Sequence, residues 1–203
     1  MKRSSDFLLS LTGLIVFAPV FLFVSLIIWL TDRGHIFYLA PRTGLNGKTF
    51  RMYKFRTMVV GADKIGAAST TVDDKRITPV GHFLRKYKLD ELPQLINVLI
   101  GNMSLVGPRP DVKFFTDLFT EEEKMILTVK PGITDWASLW NIDEGAILQG
   151  SDDPDRTYME QIWPEKKRLQ LKYVRERNFL TDLKILALTI IGTFTRKIGS
   201  PEP

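Results

Sequence analysis

Residues 7–30 read Phe7-Leu8-Leu9-Ser10-Leu11-Thr12-Gly13-Leu14-Ile15-Val16-Phe17-Ala18-Pro19-Val20-Phe21-Leu22-Phe23-Val24-Ser25-Leu26-Ile27-Ile28-Trp29-Leu30, without one charged side chain. Met1-Lys2-Arg3 precedes the run and Asp32-Arg33 follows it. Wound as a helix at ~1.5 Å per residue it reaches about 36 Å, enough for a hydrocarbon core of ~30 Å. A spanning helix is the simplest expectation. Pro19 sits at the midpoint, however, where it removes a backbone hydrogen bond and kinks a helix. Each arm is then about 12 residues and about 18 Å, too short to cross alone. A helix that enters, bends at Pro19 and returns to the same face therefore stays open beside the spanning form. Its freed carbonyls would need covering by protein. A cleaved signal peptide is disfavoured, because the run is long for one and Trp29-Leu30-Thr31-Asp32 offers no small-residue cleavage site. Lys2 and Arg3 favour a cytoplasmic N-terminus. If the rest of the chain is cytoplasmic too, the segment must be re-entrant or lie in the interface.

Outward from that run, 203 residues allow one domain beside a membrane element. The division expected is a membrane element over 1–33 and one membrane-associated domain over 34–203. Hydrophobic content of 44% and charged content of 25% exclude wholesale disorder. The absence of cysteine excludes a disulfide scaffold, thiolate catalysis and any cysteine-based metal site. His35 and His82, the two histidines, leave little room for a histidine-rich metal centre, and both read as structural. A net charge of +5 fits an anionic partner, whether phosphate, nucleotide or membrane surface, without choosing among them.

Ile36 to Leu39 and Lys48 to Tyr53 are β-prone runs flanking Gly44-Leu45-Asn46-Gly47, and Asn-Gly signals a hairpin. Asp63 to Pro79 reads as a polar loop. Short helices are expected over Val80 to Lys88 and Glu91 to Ile100, the second starting at Asp90. Thr120-Glu121-Glu122-Glu123 is a capping box that opens a helix to Val129. A charged helix runs from Glu165 to Arg177. Asp182 to Lys197 is apolar over much of its circumference, with charge at its ends in Asp182, Lys184, Arg196 and Lys197. An interfacial helix and a buried core helix both fit it. Trp136, Trp140 and Trp163 suit core packing better than stacking on a base.

Chemistry concentrates in Leu89-Asp90-Glu91-Leu92-Pro93-Gln94. Asp90 sits where a helix N-cap belongs, with Pro93 in the first turn. A helix N-terminus stabilises negative charge, so Asp90 is expected to stay ionised, as a carboxylate nucleophile must. Glu91 could hold Mg²⁺ beside it. The plain alternative is that Asp90 merely caps and Glu91 merely complements the dipole. Attack by a carboxylate on a phosphate requires cations between the two. Lys54 and Arg56, Arg85 before the pair, and Arg109 between Pro108 and Pro110 are the candidates. The two prolines fix the backbone of Arg109 and reduce its entropy cost on binding, and guanidinium grips phosphate in a bidentate fork. No phosphate-binding P-loop, dinucleotide-binding glycine motif or serine-hydrolase elbow occurs.

The run from Arg85-Lys86-Tyr87-Lys88-Leu89-Asp90-Glu91-Leu92-Pro93-Gln94 through Gly101-Asn102-Met103-Ser104-Leu105-Val106-Gly107-Pro108-Arg109-Pro110 resembles the signature of bacterial sugar transferases, the small monotopic phosphoglycosyl transferases. Gly44-Leu45-Asn46-Gly47-Lys48, Tyr53-Lys54-Phe55-Arg56-Thr57-Met58, Arg76-Ile77-Thr78, Lys130-Pro131-Gly132-Ile133-Thr134 and Asp182-Leu183-Lys184-Ile185 extend the likeness over nearly the whole chain. The resemblance implies transfer of a sugar-1-phosphate from a UDP-sugar to polyprenol (undecaprenyl) phosphate, with release of UMP, as the first membrane step of glycoconjugate assembly. It implies that Asp90 is the nucleophile of a covalent phosphosugar intermediate, and that Glu91 assists Mg²⁺ binding. It also implies a re-entrant membrane helix kinked at Pro19, at the cytoplasmic face of the bacterial inner membrane. Nucleic acid is not expected as a partner, and a homodimer is left open.

Two departures stand out. Ala18 replaces the serine that precedes the proline in the family. After Thr134 the chain reads Asp135-Trp136-Ala137-Ser138-Leu139-Trp140, without the family's usual glutamine and later arginine, and an acidic stretch follows to Asp155. The fold expected is α+β and mostly helical, with the re-entrant helix, the β-hairpin and amphipathic interfacial helices around the active site. A membrane-tethered scaffold without turnover is the alternative from a different class. A polytopic-type transferase fits poorly, because only one long apolar run exists.

Overall fold

The computed structural model describes residues 2–62, 65, 69–141 and 147–195. Parts of the loop from Asp63 to Pro79, parts of the acidic stretch after Trp140, and Arg196 and Lys197 lie outside the described residues. The chain is mostly helical with two small two-stranded sheets, an α+β arrangement.

The apolar run forms two helices, α1 (Lys2–Val16) and α2 (Ala18–Asp32), bent by 60° at Phe17. Pro19 lies in the first turn of α2, where its missing N–H is tolerated. The ladder resumes at once on either side, with Phe17 N donating to Gly13 O and Phe21 N donating to Phe17 O, both at 2.9 Å. Among the described residues no single helix is long and apolar enough to cross a membrane; the bent pair is, by length and composition.

Both ends of the pair rest on the same body. At the start of α1, Arg3 Nη1 and Nη2 donate to the carbonyls of Val98 and Leu99 at 2.5 and 2.7 Å. Asp6, buried, accepts from Ser104 Oγ at 2.8 Å and Leu105 N at 3.1 Å. Lys2 donates to Val106 O at 3.0 Å and pairs with Asp182. In the second half of α2, Val24 and Ile28 are buried against Phe55 and Leu84. Around the bend the apolar side chains face outward, including Ile15, Val16, Phe17, Leu22 and Phe23.

Strands β1 (Phe37–Thr43) and β2 (Thr49–Phe55) form the expected antiparallel hairpin, in register from Phe37↔Phe55 to Thr43↔Thr49. The connection is a 3₁₀ turn, Leu45–Gly47, in which Asn46 and Gly47 take left-handed φ of 55° and 74°. It is longer than a two-residue turn, but the Asn-Gly pair supplies the left-handed positions it needs. Ala40 and Met52 pack on Val98 and Met103.

Helix α3 (Pro79–Lys86) opens on Thr78, whose Oγ1 accepts from Gly81 N at 2.9 Å. A Cβ on Gly81 would lie 2.0 Å from the carbonyl oxygen of Thr57, so only glycine lets α3 sit this close to that segment. A short turn leads to α4 (Gln94–Ile100), then to β3 (Ser104–Val106). β3 pairs in parallel with β4 (Gly132–Thr134), through Ser104↔Gly132 and Val106↔Thr134. These three-residue strands carry no periodicity long enough to read beforehand. Between them lie α5 (Lys113–Thr116) and the 3₁₀ stretch Glu123–Thr128. The capping box before that stretch forms as expected, with Thr120 N donating to Glu123 Oε2 at 2.8 Å and Glu123 N to Thr120 Oγ1 at 3.3 Å. It opens a 3₁₀ rather than an α-helix.

Helix α6 (Trp136–Trp140) follows β4 directly. α7 (Pro154–Thr157) runs through a π turn into α8 (Trp163–Glu176), and α9 (Phe179–Thr195) closes the described chain. Val106, Trp136, Leu139, Leu169, Tyr173 and Ile185 make one core cluster, and Phe115, Phe119, Tyr158 and Trp163 another. Trp136 and Trp163 are thus core residues, and Trp140, partly buried, packs against both clusters. α9 buries Ile185, yet exposes Phe179, Leu180, Leu183, Ile190 and Ile191, so a wholly buried core helix does not hold. His35 and His82 are exposed.

Candidate active site

Asp90 and Glu91 lie in a single 3₁₀ turn, Leu89–Glu91. This corrects the expected N-cap. α3 ends at Lys86, and Lys88 turns the chain with a left-handed φ of 54°. α4 then begins only at Gln94, with Pro93 as its N-cap. Proline carries no side-chain oxygen to cap with, and Asp90 caps nothing. Both of its oxygens lack a hydrogen-bond partner among the described residues. Oδ1 is fully enclosed, which leaves Oδ2 as the oxygen that reaches solvent.

Glu91 is held firmly. Its Oε1 accepts from Lys54 Nζ at 3.1 Å and from Arg109 Nη2. This one carboxylate ties together β2, the 3₁₀ turn and the loop after β3. The backbone of that loop is fixed in its own right. Gly107 N donates to Thr134 O and Gly132 N to Pro108 O, both at 3.0 Å. A Cβ on Gly132 would sit 2.1 Å from Gly107 N, so the approach requires glycine. Arg109 N donates to Asp135 Oδ2 at 3.1 Å, and Arg109 O accepts from Gln170 Nε2 at 3.0 Å.

Asp135 is a site residue that the sequence reading misses. Fully buried, it caps α6 through Ser138 N at 2.7 Å and at the same time positions Arg109. Its only signal is its place as the first departure from the family pattern after Thr134. Gln170 is missed as well, since nothing in a charged helix marks one glutamine as a backbone clamp.

Arg85 Nε donates to Thr57 Oγ1 at 2.9 Å. Arg85 stands one turn after Gly81 on α3, so the close approach permitted by that glycine brings the guanidinium to this hydroxyl. Lys54 and Arg109 pair with Glu91, and Arg85 acts on both carboxylates through its charge. Arg56 is directed elsewhere: its Nε donates to His35 O at 2.5 Å, and it lines a small hollow with Ile28, Thr31, Thr78 and Val80. β2 ends at Phe55, so the alternation that would have put Arg56 beside Lys54 stops one residue short.

The two neighbouring carboxyls are pushed in opposite directions. Burial raises Asp90 above its ordinary value; Lys54, Arg85 and Lys88 oppose this, and the charge of Glu91 reinforces it. This replaces the expectation that a helix N-terminus keeps Asp90 ionised. For Glu91 burial again pulls upward, but the facing Arg109 and Lys54 outweigh it and hold the group well below the usual carboxylate range. Burial lowers Lys54 and Arg85 from their ordinary values.

No group of three or more histidine, cysteine, aspartate or glutamate side chains that could hold a metal occurs among the described residues. The chain supplies instead an adjacent carboxylate pair, one member of which has unpartnered oxygens. That donor set fits Mg²⁺, which binds through one or two carboxylates and takes its remaining ligands from water and substrate phosphate.

A family model described as bacterial sugar transferase matches residues 1–196. The chain is 35% identical over 202 residues to the UDP-glucose:undecaprenyl-phosphate glucose-1-phosphate transferase of Escherichia coli, a match covering 97% of this chain and 41% of that protein. It is 37% identical to the uncharacterized sugar transferase EpsL of Bacillus subtilis, covering 94% and 85%. It is 39% identical to a UDP-N-acetylgalactosamine-undecaprenyl-phosphate N-acetylgalactosaminephosphotransferase of Aeromonas hydrophila, covering 68% and 34%. The chain thus spans less than half of the Escherichia coli and Aeromonas relatives.

Proposed function

The chain belongs to the bacterial sugar transferase family, and we propose that it moves a sugar-1-phosphate from a UDP-sugar to undecaprenyl phosphate by way of a covalent intermediate on Asp90. The printed activities of the Escherichia coli and Aeromonas relatives support the substrate classes. The observation that carries the reading is Asp90 itself, a buried carboxylate with no hydrogen bond among the described residues, facing Lys54, Arg85 and Lys88 beside a fully neutralised Glu91. An acceptor this costly to leave unpaired is better explained by a reacting partner than by capping.

In the first half-reaction Asp90 Oδ2 forms a bond to the sugar-proximal phosphorus. The bond from that phosphorus to the bridging oxygen breaks, and its electron pair leaves with UMP. In the second, a phosphate oxygen of the lipid forms a bond to the same phosphorus, and the Asp90 carboxylate departs unchanged. The cations lower the repulsion that otherwise keeps carboxylate and diphosphate apart. Glu91 would hold Mg²⁺, whose contribution when bound is to neutralise diphosphate charge.

The bent helix pair is the membrane element in this reading, and it is re-entrant. Each 15-residue arm reaches about 22 Å, short of a ~30 Å core. Contacts of Lys2, Arg3 and Asp6 at one end, and of Val24 and Ile28 at the other, with one body support a return to the same face. The exposed side of α9 lies in the interface. Asp90 is thereby held at headgroup depth on the cytoplasmic face, where the lipid phosphate lies.

The test is intact-mass spectrometry of the purified chain with UDP-glucose, UDP-N-acetylgalactosamine or another UDP-sugar and Mg²⁺. The expected result is a sugar-phosphate adduct on Asp90 with one UMP released per adduct, and neither for Asp90→Asn. An Asp90→Asn variant that transfers sugar as fast as wild type overturns the reading.

A further inference from the structure

Arg42 ends the row of basic side chains and takes no part in the ion pairs of Glu91. It lies on β1 opposite Phe50, one residue before Thr43. Thr43 N donates to Asp111 O at 3.0 Å, which stitches the end of this strand to the loop that carries Arg109. The guanidinium is half-buried. Its one hydrogen bond among the described residues runs from Nη1 to the carbonyl of its own neighbour Pro41, at 2.8 Å. The carboxylate that acts on it most, Asp111, makes no ion pair with it among the described residues. Asp111 Oδ1 already accepts from Lys166 Nζ at 2.5 Å and Tyr158 OH at 3.2 Å, and Lys166 is itself buried. Four of five N–H donors on a partly enclosed cation are thus without a protein acceptor among the described residues, and burying such a group unpaired is costly. An anion that binds there removes that cost.

Resting on the transferase reading, we propose that Arg42 binds the phosphate of the departing nucleotide, on the far side of the reacting phosphorus from Asp90. The order of charges sets the direction. Lys54 on β2 stands opposite Tyr38 and reaches Glu91, whereas Arg42 on β1 stands opposite Phe50, four positions along the same hairpin from the Tyr38–Lys54 pair. The carboxylate pair thus sits at the Lys54 end of this hairpin, and Arg42 sits at the end fastened to Asp111. Displacement at phosphorus runs in line, with nucleophile and leaving oxygen on opposite sides. With the sugar-proximal phosphate seated by Lys54 and Arg109, the leaving nucleotide phosphate points away from Asp90 and towards Arg42. A planar fork suits this role, because it can meet two oxygens of the phosphate as negative charge grows on the leaving group.

The experiment measures UMP affinity and the KM for undecaprenyl phosphate on the full chain in lipid nanodiscs, for wild type, Arg42→Gln and Arg42→Lys. Arg42→Gln is expected to weaken UMP binding about tenfold or more, the size of a lost charged hydrogen bond. Arg42→Lys should fall between, because it keeps the charge and loses the fork. The KM for undecaprenyl phosphate should stay within about twofold. Unchanged UMP affinity in Arg42→Gln overturns the assignment alone, as does a loss confined to the lipid phosphate. Should Arg42→Gln fail to fold, wild-type UMP affinity in Arg42→Lys overturns it. Wild-type protein that binds no UMP overturns the transferase reading, and this assignment with it.

Discussion

Asp90 and Glu91 are adjacent in the chain and opposite in character. The lysine and arginine that grip Glu91 fix it as an anion, whereas Asp90 is buried with no bond to its oxygens among the described residues. A carboxyl pushed up in this way is a better nucleophile when ionised and costs more to hold ionised. Because the folded value of Asp90 lies above the unfolded one, its contribution to stability is present at low pH and is lost as pH rises through the folded value. At neutral pH it therefore opposes folding. Asp90→Asn is expected to abolish transfer while raising the unfolding midpoint in detergent by roughly 2–4 °C, about 1 kcal/mol for a chain of this length. In wild type the acid limb of kcat/KM should fall above the ordinary aspartate value of about 3.9. An unchanged or lowered midpoint for Asp90→Asn, or an acid limb at the ordinary value, contradicts a buried, unbonded Asp90. None of this was legible in the sequence, where the same aspartate reads as a helix cap. Its true setting depends on Lys54, Arg85 and the left-handed Lys88, and the first of these is distant in the chain.

Helices and strands in this chain serve mainly to present single side chains at fixed distances. α3 does so through a glycine. Gly81 allows backbone contact with Thr57, and one turn later Arg85 reaches the Thr57 hydroxyl. Gly81→Ala puts a methyl 2.0 Å from the Thr57 carbonyl oxygen and must lift the helix. A loss of roughly 1–3 kcal/mol is expected, the usual size for overpacking. Activity should fall along with it, because Arg85 is displaced from the carboxylates. Thermal unfolding and turnover measured on the same preparation check this, and a variant as stable and as active as wild type refutes it. The hairpin was legible because Asn46-Gly47 supplies two left-handed residues in a row. The capping box was legible because its two bonds are local. The parallel pair β3–β4 was not: three residues show no period, and their partners lie 28 positions apart. Arg56 fails for a related reason, since alternation carries a side chain's direction only as far as the strand continues.

The whole chain is organised as a body with a bent apolar pair fastened to it at both ends. Arg3 on the end of α4 and Asp6 on β3 hold the start of the pair against the two elements that flank the site. Val24 and Ile28 hold its far half against Phe55 and Leu84. A helix crossing the bilayer from Lys2 to Asp32 would carry its two ends to opposite faces and break one of these attachments. The chain contains no cysteine, so Ser4→Cys and Lys75→Cys can be labelled singly. A membrane-impermeant maleimide should reach both in inside-out vesicles and neither in intact spheroplasts. Reaction of Ser4→Cys from the outer face would show a spanning helix. On the proposed function, the same fastening would keep the reaction with a lipid phosphate at one depth, because α1 is bonded directly to α4 and β3, the elements that flank the site.

Local chemistry was readable from the order of residues alone. An uncharged run broken by Pro19, a left-handed Asn-Gly turn, a capping box and an Asp-Glu pair among basic clusters each express interactions within a few positions of one another. Long-range assembly was not readable. That Glu91 and not Asp90 takes the ion pairs, that Asp135 and Gln170 set the backbone of Arg109, and that Arg42 joins the row of cations while Arg56 leaves it all follow from contacts between segments 21 to 68 residues apart. Periodicity and propensity act along the chain. Burial and charge pairing act through space, and they came into being when the segments met.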